Sequence, residues 1–141
     1  MANTYASEVA GLGTTPVGNA DGAVQGGRVR RFRASITLAE QADGDTITLA
    51  SVPAGYAFAY GVITTSASLG SAEVSVGVSG TPAKYKALAT LTDTDTPALF
   101  GVTSGIDDDV LTASEVVILT VDAAALPASG TMVVDLFFSA P

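Results

Sequence analysis

The sequence lacks histidine, cysteine and tryptophan altogether, and it has only six Lys and Arg residues in 141 positions. Without histidine or cysteine, the chain lacks the side chains that most enzymes use for proton transfer and nucleophilic attack near neutral pH. The absence of cysteine also excludes disulfide bonds and cysteine metal sites, and it fits assembly in a reducing cytoplasm. We therefore expect a non-enzymatic protein that has no cofactor.

Acidic residues dominate the charge of the chain. Fourteen Asp and Glu residues give a net charge of −8 and a pI of about 4.1, which favours solubility and argues against general nucleic-acid binding. Hydrophobic residues make up 48% of the chain and charged residues 14%, a balance that predicts a folded core. The longest uncharged stretch, 46–72, contains Pro53, glycines and many Ser and Thr residues, so we expect no membrane helix.

The chain divides into an arm and one domain. Residues 1–27 are rich in glycine and have no helical or strand periodicity, which predicts a flexible N-terminal arm. This segment either stays disordered or becomes ordered along a neighbouring subunit or a larger surface. Residues 28–141 contain strand patterns throughout and are long enough for a single hydrophobic core.

Short strands and turns fill this domain. Phe32, Ala34, Ile36 and Leu38 alternate with polar residues, as expected for a half-buried strand. The segment 46–49 nearly repeats the segment 35–38 across a turn at Asp43-Gly44, which predicts that the two strands form a hairpin. About eight strands follow one another at roughly even spacing. They predict an all-β antiparallel β-sandwich, specifically a jelly roll, with an immunoglobulin-like sandwich as the alternative.

Two of the predicted strands have distinctive patterns. Residues 56–64 form a long strand whose larger side chains occupy alternate positions. Residues 116–121 are a continuous apolar run, which predicts a central strand covered on both faces. The core would cover one face, and either another subunit or a broad loop would cover the other.

Four of the six cations lie close together as Arg28, Arg30, Arg31 and Arg33. Strand alternation puts Arg31 and Arg33 on one face, and the planar guanidinium group suits carboxylates and phosphates. Three kinds of partner fit this cluster: carboxylates of the same chain or of a neighbouring subunit, an acidic patch on another protein, or a nucleic acid. The first is the simplest in a chain with fourteen acids.

The other two cations, Lys84 and Lys86, flank Tyr85 on one face of another predicted strand. They either form a solvated edge that deters the addition of a further strand or contact a partner. Together the six cations are our candidate partner-binding residues.

Three acidic loops offer oxygen ligands of the kind that calcium prefers. They are Asp43-Gly44-Asp45, Asp93-Thr94-Asp95 and Asp107-Asp108-Asp109. None matches the twelve-residue calcium loop, so we expect solvated turn acids and no metal site. No pair of carboxylates stands out as the acid and base of a glycosidase.

The succession of turns and strands over residues 30–100 resembles small virion structural proteins of tailed bacteriophages. The resemblance rests on Val52-Pro53-Ala54-Gly55 before a strand, on Ser68-Leu69-Gly70-Ser71, and on Ala83-Lys84-Tyr85. In the family, Leu precedes the first Pro and Asp precedes the Lys-Tyr pair, so this chain departs from the pattern at Val52 and Ala83.

The head decoration, or cement, proteins are the members that this pattern resembles most. The resemblance implies a homotrimer that binds the major capsid protein on the outer surface of the head and stabilises the shell. A head-fibre or tail component that recognises carbohydrate or a receptor is the alternative. Under either interpretation the resemblance implies a virion protein, without nucleic-acid or membrane partners, that is assembled in the host cytoplasm.

Overall fold

The computed structural model describes residues 22–23, 25–106 and 110–141. This part of the chain forms eight strands and one short helix: β1 (Arg28–Thr37), β2 (Thr46–Val52), β3 (Ala57–Thr65), β4 (Glu73–Val78), β5 (Thr81–Thr90), β6 (Ala98–Phe100), α1 (Thr103–Ile106), β7 (Glu115–Asp122) and β8 (Thr131–Ala140). Within the same residues, no helix is long and apolar enough to cross a membrane.

The strands form two four-stranded antiparallel sheets, in the orders β1-β8-β3-β6 and β2-β7-β4-β5. Four of the pairings are nested, because β1 pairs with β8, β2 with β7, β3 with β6, and β4 with β5. A long hairpin rolled up on itself has this arrangement, and the roll adds the contacts of β3 with β8 and of β4 with β7. The predicted jelly-roll sandwich is confirmed.

The predicted hairpin between the first two strands is wrong. The turn at Asp43-Gly44 does form, and Gly44 has a φ of 88° that suits glycine. The strands on either side of it, however, belong to different sheets, since β1 pairs with β8 and β2 pairs with β7. The similar sequences of the two strands reflect their similar burial on opposite sides of one core.

The core lies between the sheets and is densest at their central strands. Val117, Leu119 and Val121 of β7 are fully buried, and they face Met132, Val134, Leu136 and Phe138 of β8, which are equally inaccessible. Burying a side chain of this size is worth roughly 1.5–3 kcal/mol. The inward alternation predicted for β1 is also confirmed, because Ile36 and Leu38 are buried.

Phe138 is at the centre of an aromatic cluster that joins both sheets. Its ring makes edge-to-face contacts with Phe32, Phe58 and Tyr85, at centroid distances of 5.8, 5.3 and 5.8 Å. Such pairs add roughly 0.5–1.5 kcal/mol beyond the area that they bury. The cluster therefore fixes how the two sheets pack at this end of the sandwich.

Strand β7 is central, as predicted, but only one of its faces is fully covered. Val117, Leu119 and Val121 face the core, whereas Val116 on the opposite face is 51% exposed. The apolar run therefore does not reflect burial on both sides within the chain. Whether another subunit covers this second face stays a prediction.

A β-bulge changes the pattern predicted for β3. Phe58 pairs with Phe138 and Tyr60 pairs with Phe137, so Ala59 is an extra residue in this strand. The bulge turns the following side chains to the other face, and Tyr60 is 40% exposed although Phe58 is buried. The larger residues of the strand therefore do not share one face.

The predicted N-terminal arm lies mostly outside the described residues, which omit 1–21 and 24. Its last part packs on the domain, since Ala23 is only 1% exposed and Ser139 donates a hydrogen bond from Oγ to the Ala23 carbonyl. The boundary of the arm at residue 27 stays a prediction.

We expect Phe138→Ala to lower the free energy of unfolding by about 3–5 kcal/mol, because it empties the centre of the aromatic cluster. The adjacent Phe137→Ala is the matched control. Its ring lies on the opposite face, stacked on Tyr60, so we expect a loss of roughly 1 kcal/mol. Urea unfolding curves measure both values, and equal losses would contradict the assignment of the two faces.

Candidate functional site

The arginine cluster lies on an edge strand of the sheet β1-β8-β3-β6. Arg28, Arg30 and Arg31 have exposed side chains, and among the described residues no carboxylate lies within ion-pair distance of them. Phe32 is the first residue of β1 that packs against the core, so the strand before it is free to present its cations to solvent. We call these three residues the arginine end.

Arg33 differs from the rest of the cluster because it binds Asp135 on the neighbouring strand. Its Nε and Nη2 atoms each donate a hydrogen bond of 2.7 Å to a different carboxylate oxygen of Asp135. The two residues are direct cross-strand partners. The hydrogen bonds from Arg33 lower the pKa of Asp135, and Arg31 lowers it further at longer range. Within the described part of the chain, the pairing expected for the cluster is therefore present for one arginine of the four.

Lys84 and Tyr85 bind one carboxylate together. Lys84 donates from Nζ to Oε1 of Glu115, and Tyr85 donates its hydroxyl proton to Oε2 of the same residue, both at 2.6 Å. Glu115 begins β7, which is separated from β5 by β4 in the sheet. The contact therefore ties an edge strand to the centre of its sheet, and it satisfies the hydroxyl of a ring that is otherwise buried.

The interpretation of Lys86 as part of a solvated strand edge is wrong, because the residue is only 7% exposed. Its Nζ donates to the carbonyl oxygens of Val74 and Ala87, each at 3.1 Å. Burial lowers the pKa of Lys86, although Glu73 opposes this shift electrostatically. Irregular pairing between β4 and β5 turns both Tyr85 and Lys86 into the protein, where regular alternation would expose one of them.

The solvent-facing side of the sheet β1-β8-β3-β6, which we call the outer face, has cross-strand rows of side chains. One row joins Tyr60, Phe137 and Arg31, and the rings of Tyr60 and Phe137 stack with centroids 4.6 Å apart. The next row joins Leu99, Val62 and Asp135 with Arg33. Leu99 is 77% exposed, so the face combines an aromatic pair and an exposed apolar side chain with flanking arginines.

This apolar part of the outer face was not found from the sequence. Tyr60 was expected to share a face with Phe58, and only the bulge at Ala59 brings it beside Phe137. Leu99 belongs to a strand of three residues, too short for alternation to assign a face. A signal existed in Leu136-Phe137-Phe138, because strict alternation turns the middle residue outward when the other two are buried.

Carboxylates gather at the end of the sandwich opposite the arginine end. Glu40, Asp43, Asp45, Glu73, Asp93, Asp95 and Asp122 lie in the loops of that end or at the strand termini beside them. We call these seven residues the acidic end. Backbone hydrogen bonds tie its loops to that end of the sheets, as those from Gly44 to Val121 and from Asp95 to Thr65 do.

The acidic end does not form a metal site within the described part of the chain. No three acidic side chains there are close enough to hold one ion. The backbone amides of Ala42 and Ala123 donate to the carboxylates of Asp45 and Asp122. Asp107-Asp108-Asp109, considered above as oxygen ligands, lie outside the described residues.

Whether the six candidate cations bind a partner stays a prediction, and their surroundings differ. Arg28, Arg30 and Arg31 are exposed, Arg33 is half-exposed but bound to Asp135, and Lys84 is bound to Glu115. Lys86 has little surface to offer a partner. The arginine end is therefore the part of the set best suited to intermolecular contact.

The fold is similar to chains in three solved phage capsids. A chain from the capsid of Ralstonia phage GP4 matches with a TM-score of 0.67 and 20% identity over 94% of both chains. A chain from the cyanophage Pam1 capsid asymmetric unit has a TM-score of 0.63 and 19% identity, covering 82% of this chain and 86% of that one. A chain from the acidic stable capsid structure of Helicobacter pylori bacteriophage KHP30 has a TM-score of 0.56 and 16% identity, covering 80% and 88%.

Sequence comparison adds nothing to this structural likeness, since no protein-family model and no curated protein matches the chain. At identities of 16–20%, the likeness establishes the fold.

We expect Asp135→Asn to lower stability near neutral pH, because it removes the charged acceptor of Arg33. Folding lowers the pKa of Asp135 below its ordinary value of 3.8. The stabilisation is therefore fully present above pH 3.8, and it is lost as the pH falls through the pKa that Asp135 has in the folded state. Thermal unfolding of both proteins from neutral pH to about pH 2 should therefore show their difference in Tm shrinking in acid.

The control is a double-mutant cycle with Arg33→Gln. If Arg33 acts through Asp135, the double variant loses less stability than the two single losses added together. A difference in Tm that stays constant into acid would contradict the assignment.

We expect the free energy of unfolding of Lys86→Met to lie within about 1 kcal/mol of the wild-type value near neutral pH. The substitution replaces a desolvated ammonium group with an apolar side chain of similar volume. Burial lowers the pKa of Lys86, so above its folded value the unfolded chain binds more protons than the folded one. Wild-type stability relative to the variant should then rise with pH toward 10.5, the ordinary value for lysine. Urea midpoints across this range test it, and a flat difference would be inconsistent with the burial of Lys86.

Proposed function

We propose that this chain is a head decoration protein of a tailed bacteriophage. It binds the major capsid protein on the outer surface of the head, across several capsid subunits, and it stabilises the shell. The observation that supports this most directly is the likeness of the fold to a chain of the Ralstonia phage GP4 capsid, which extends over 94% of both chains. The likenesses to chains in two further phage capsids agree with it.

The surface of the sandwich suits such a role. The outer face combines an exposed apolar side chain, Leu99, with the stacked rings of Tyr60 and Phe137 and with Arg31 beside them. Aromatic residues and arginine are enriched at the centres of protein interfaces, where they contribute most of the binding energy. We assign this face to the shell.

A protein that binds across several capsid subunits stabilises the shell, because it adds buried interface that must be exposed before the subunits can separate. Binding at every equivalent position lets modest individual contacts act together, and a homotrimer multiplies the contacts of each particle further. Assembly in the host cytoplasm agrees with a chain that needs no disulfide bond to hold its core.

The alternative of a carbohydrate-binding module on a head fibre has less support from the outer face. Sugars stack on aromatic rings that present an open flat side. Tyr60 and Phe137 are nearly parallel, with planes 14° apart, and each covers one side of the other. The stacking therefore leaves each ring with one side fewer for a sugar.

We expect purified protein to co-sediment with phage heads that lack it and to raise the temperature at which those heads release DNA. The heads come from the phage whose genome encodes this chain, after deletion of the gene. Leu99→Asp should weaken binding by about tenfold or more, because it places a charge in the apolar part of the outer face.

Leu88→Asp is the matched control, since Leu88 is a partly exposed leucine on an edge strand of the other sheet. It should bind like the wild type. If the wild type does not bind heads, the proposed function is wrong. If both variants bind equally well, the shell contacts a different surface.

A further inference from the structure

Most carboxylates of the described residues lie at the end of the sandwich opposite the arginine end. The exceptions are Asp135, which binds Arg33, and Glu115, which binds Lys84. Arg28 and Arg30 are near the start of β1, beside the last residues of β8, whereas Thr37 pairs with Thr131 at the other end of the same two strands. Four loops, 38–45, 66–72, 91–97 and 123–130, lie at that second end and contain no Lys or Arg. The acidic end is formed by these loops and the strand termini next to them.

Distance prevents the two ends from neutralising each other within one copy. Seven residues separate Arg30 from Thr37, which corresponds to about 23 Å at the rise of a strand. Electrostatic interactions are screened beyond roughly 8 Å at physiological ionic strength. The acidic end is therefore too far away to neutralise Arg28, Arg30 and Arg31, and among the described residues no carboxylate lies within ion-pair distance of them. Asp135, which Arg31 influences at longer range, is already bound to Arg33.

We infer that the arginine end of one copy binds the acidic end of a second copy, in a head-to-tail contact. A symmetric contact that joined two arginine ends would set six guanidinium groups against one another, and a contact between two acidic ends would set fourteen carboxylates together. The head-to-tail contact is the one that pairs opposite charges. Contacts of this type close into a ring when the rotation between copies allows it.

Self-association is part of the proposed function, and the inference names the surfaces that perform it. Arginine is well suited to this contact because its planar fork can bind a carboxylate through two hydrogen bonds, as Arg33 does with Asp135. The arginine end lies next to the outer face, so the same copy can contact its neighbour and the shell at once.

The test uses full-length protein in solution without capsids, so that it is independent of the proposed binding to the shell. Sedimentation velocity over a range of concentrations measures the association of the wild type and of three variants. The first variant is Arg28→Glu/Arg30→Glu/Arg31→Glu, which changes the net charge from −8 to −14. The second is Glu40→Lys/Asp43→Lys/Asp93→Lys, which changes it from −8 to −2. The third combines all six changes and restores −8.

We expect each one-sided variant to raise the dissociation constant by about tenfold or more, and the combined variant to return it to near the wild-type value. The wild-type association should also weaken as salt rises from about 50 to 500 mM. Because the one-sided variants shift the net charge in opposite directions, a general repulsion between acidic molecules cannot explain a loss in both.

Three results would overturn the inference: a wild type that is monomeric at every concentration, one-sided variants that associate as the wild type does, or a combined variant that is folded but does not recover. Circular dichroism and thermal unfolding establish that each variant is folded. A chain that associates as expected but does not bind heads would leave the contact in place and contradict the proposed function.

Discussion

The pairing of the last two strands with earlier ones holds both sheets together. β8 lies between β1 and β3, and β7 lies between β2 and β4, so each sheet has a C-terminal strand at its centre. The inward side chains of these two strands are fully buried, and they form the densest part of the core. Partners such as Arg33 and Asp135 are 102 residues apart in the sequence. Folding must therefore lose the entropy of closing a long loop before the contacts between these strands can stabilise the sheet.

This topology also determines where the surface groups lie. Because the hairpin is rolled up, its loops alternate between the two ends of the sandwich, and the loops of one end contain most of the described carboxylates. The outer face of one sheet combines exposed apolar groups with arginines, and we propose it as the side that contacts the shell. The two charged ends are the surfaces that we propose for contact between copies. The proposed contact with the shell and the proposed contact between copies use adjoining parts of one rigid scaffold, and Arg31 belongs to both.

Strand positions were largely predictable, and strand partners were not. The alternation of Ile36 and Leu38 with polar residues located β1 and its buried side correctly. The sequence pattern also predicted about eight strands, and the described part of the chain forms eight. The hairpin expected across Asp43-Gly44 was wrong because a turn signal fixes only the local bend of the chain.

For the candidate site, the exposed arginines were identified from their spacing. The burial of Lys86 and the exposure of Tyr60 depended on irregular pairing in β5 and β3, which leaves no mark in the alternation.

The sequence by itself determined the class of the protein: a β-rich, acidic chain without the side chains that most enzymes depend on, with its cations concentrated in two short segments. It also determined most strand positions, because period-two alternation records which side of a strand is buried. Only the tertiary structure decided which strands are neighbours, which face presents Tyr60, Phe137 and Leu99, and how far the arginine end lies from the acidic end. The reason is that sheets form through backbone hydrogen bonds that are nearly the same for every residue, so the partners are selected by the packing of the whole core.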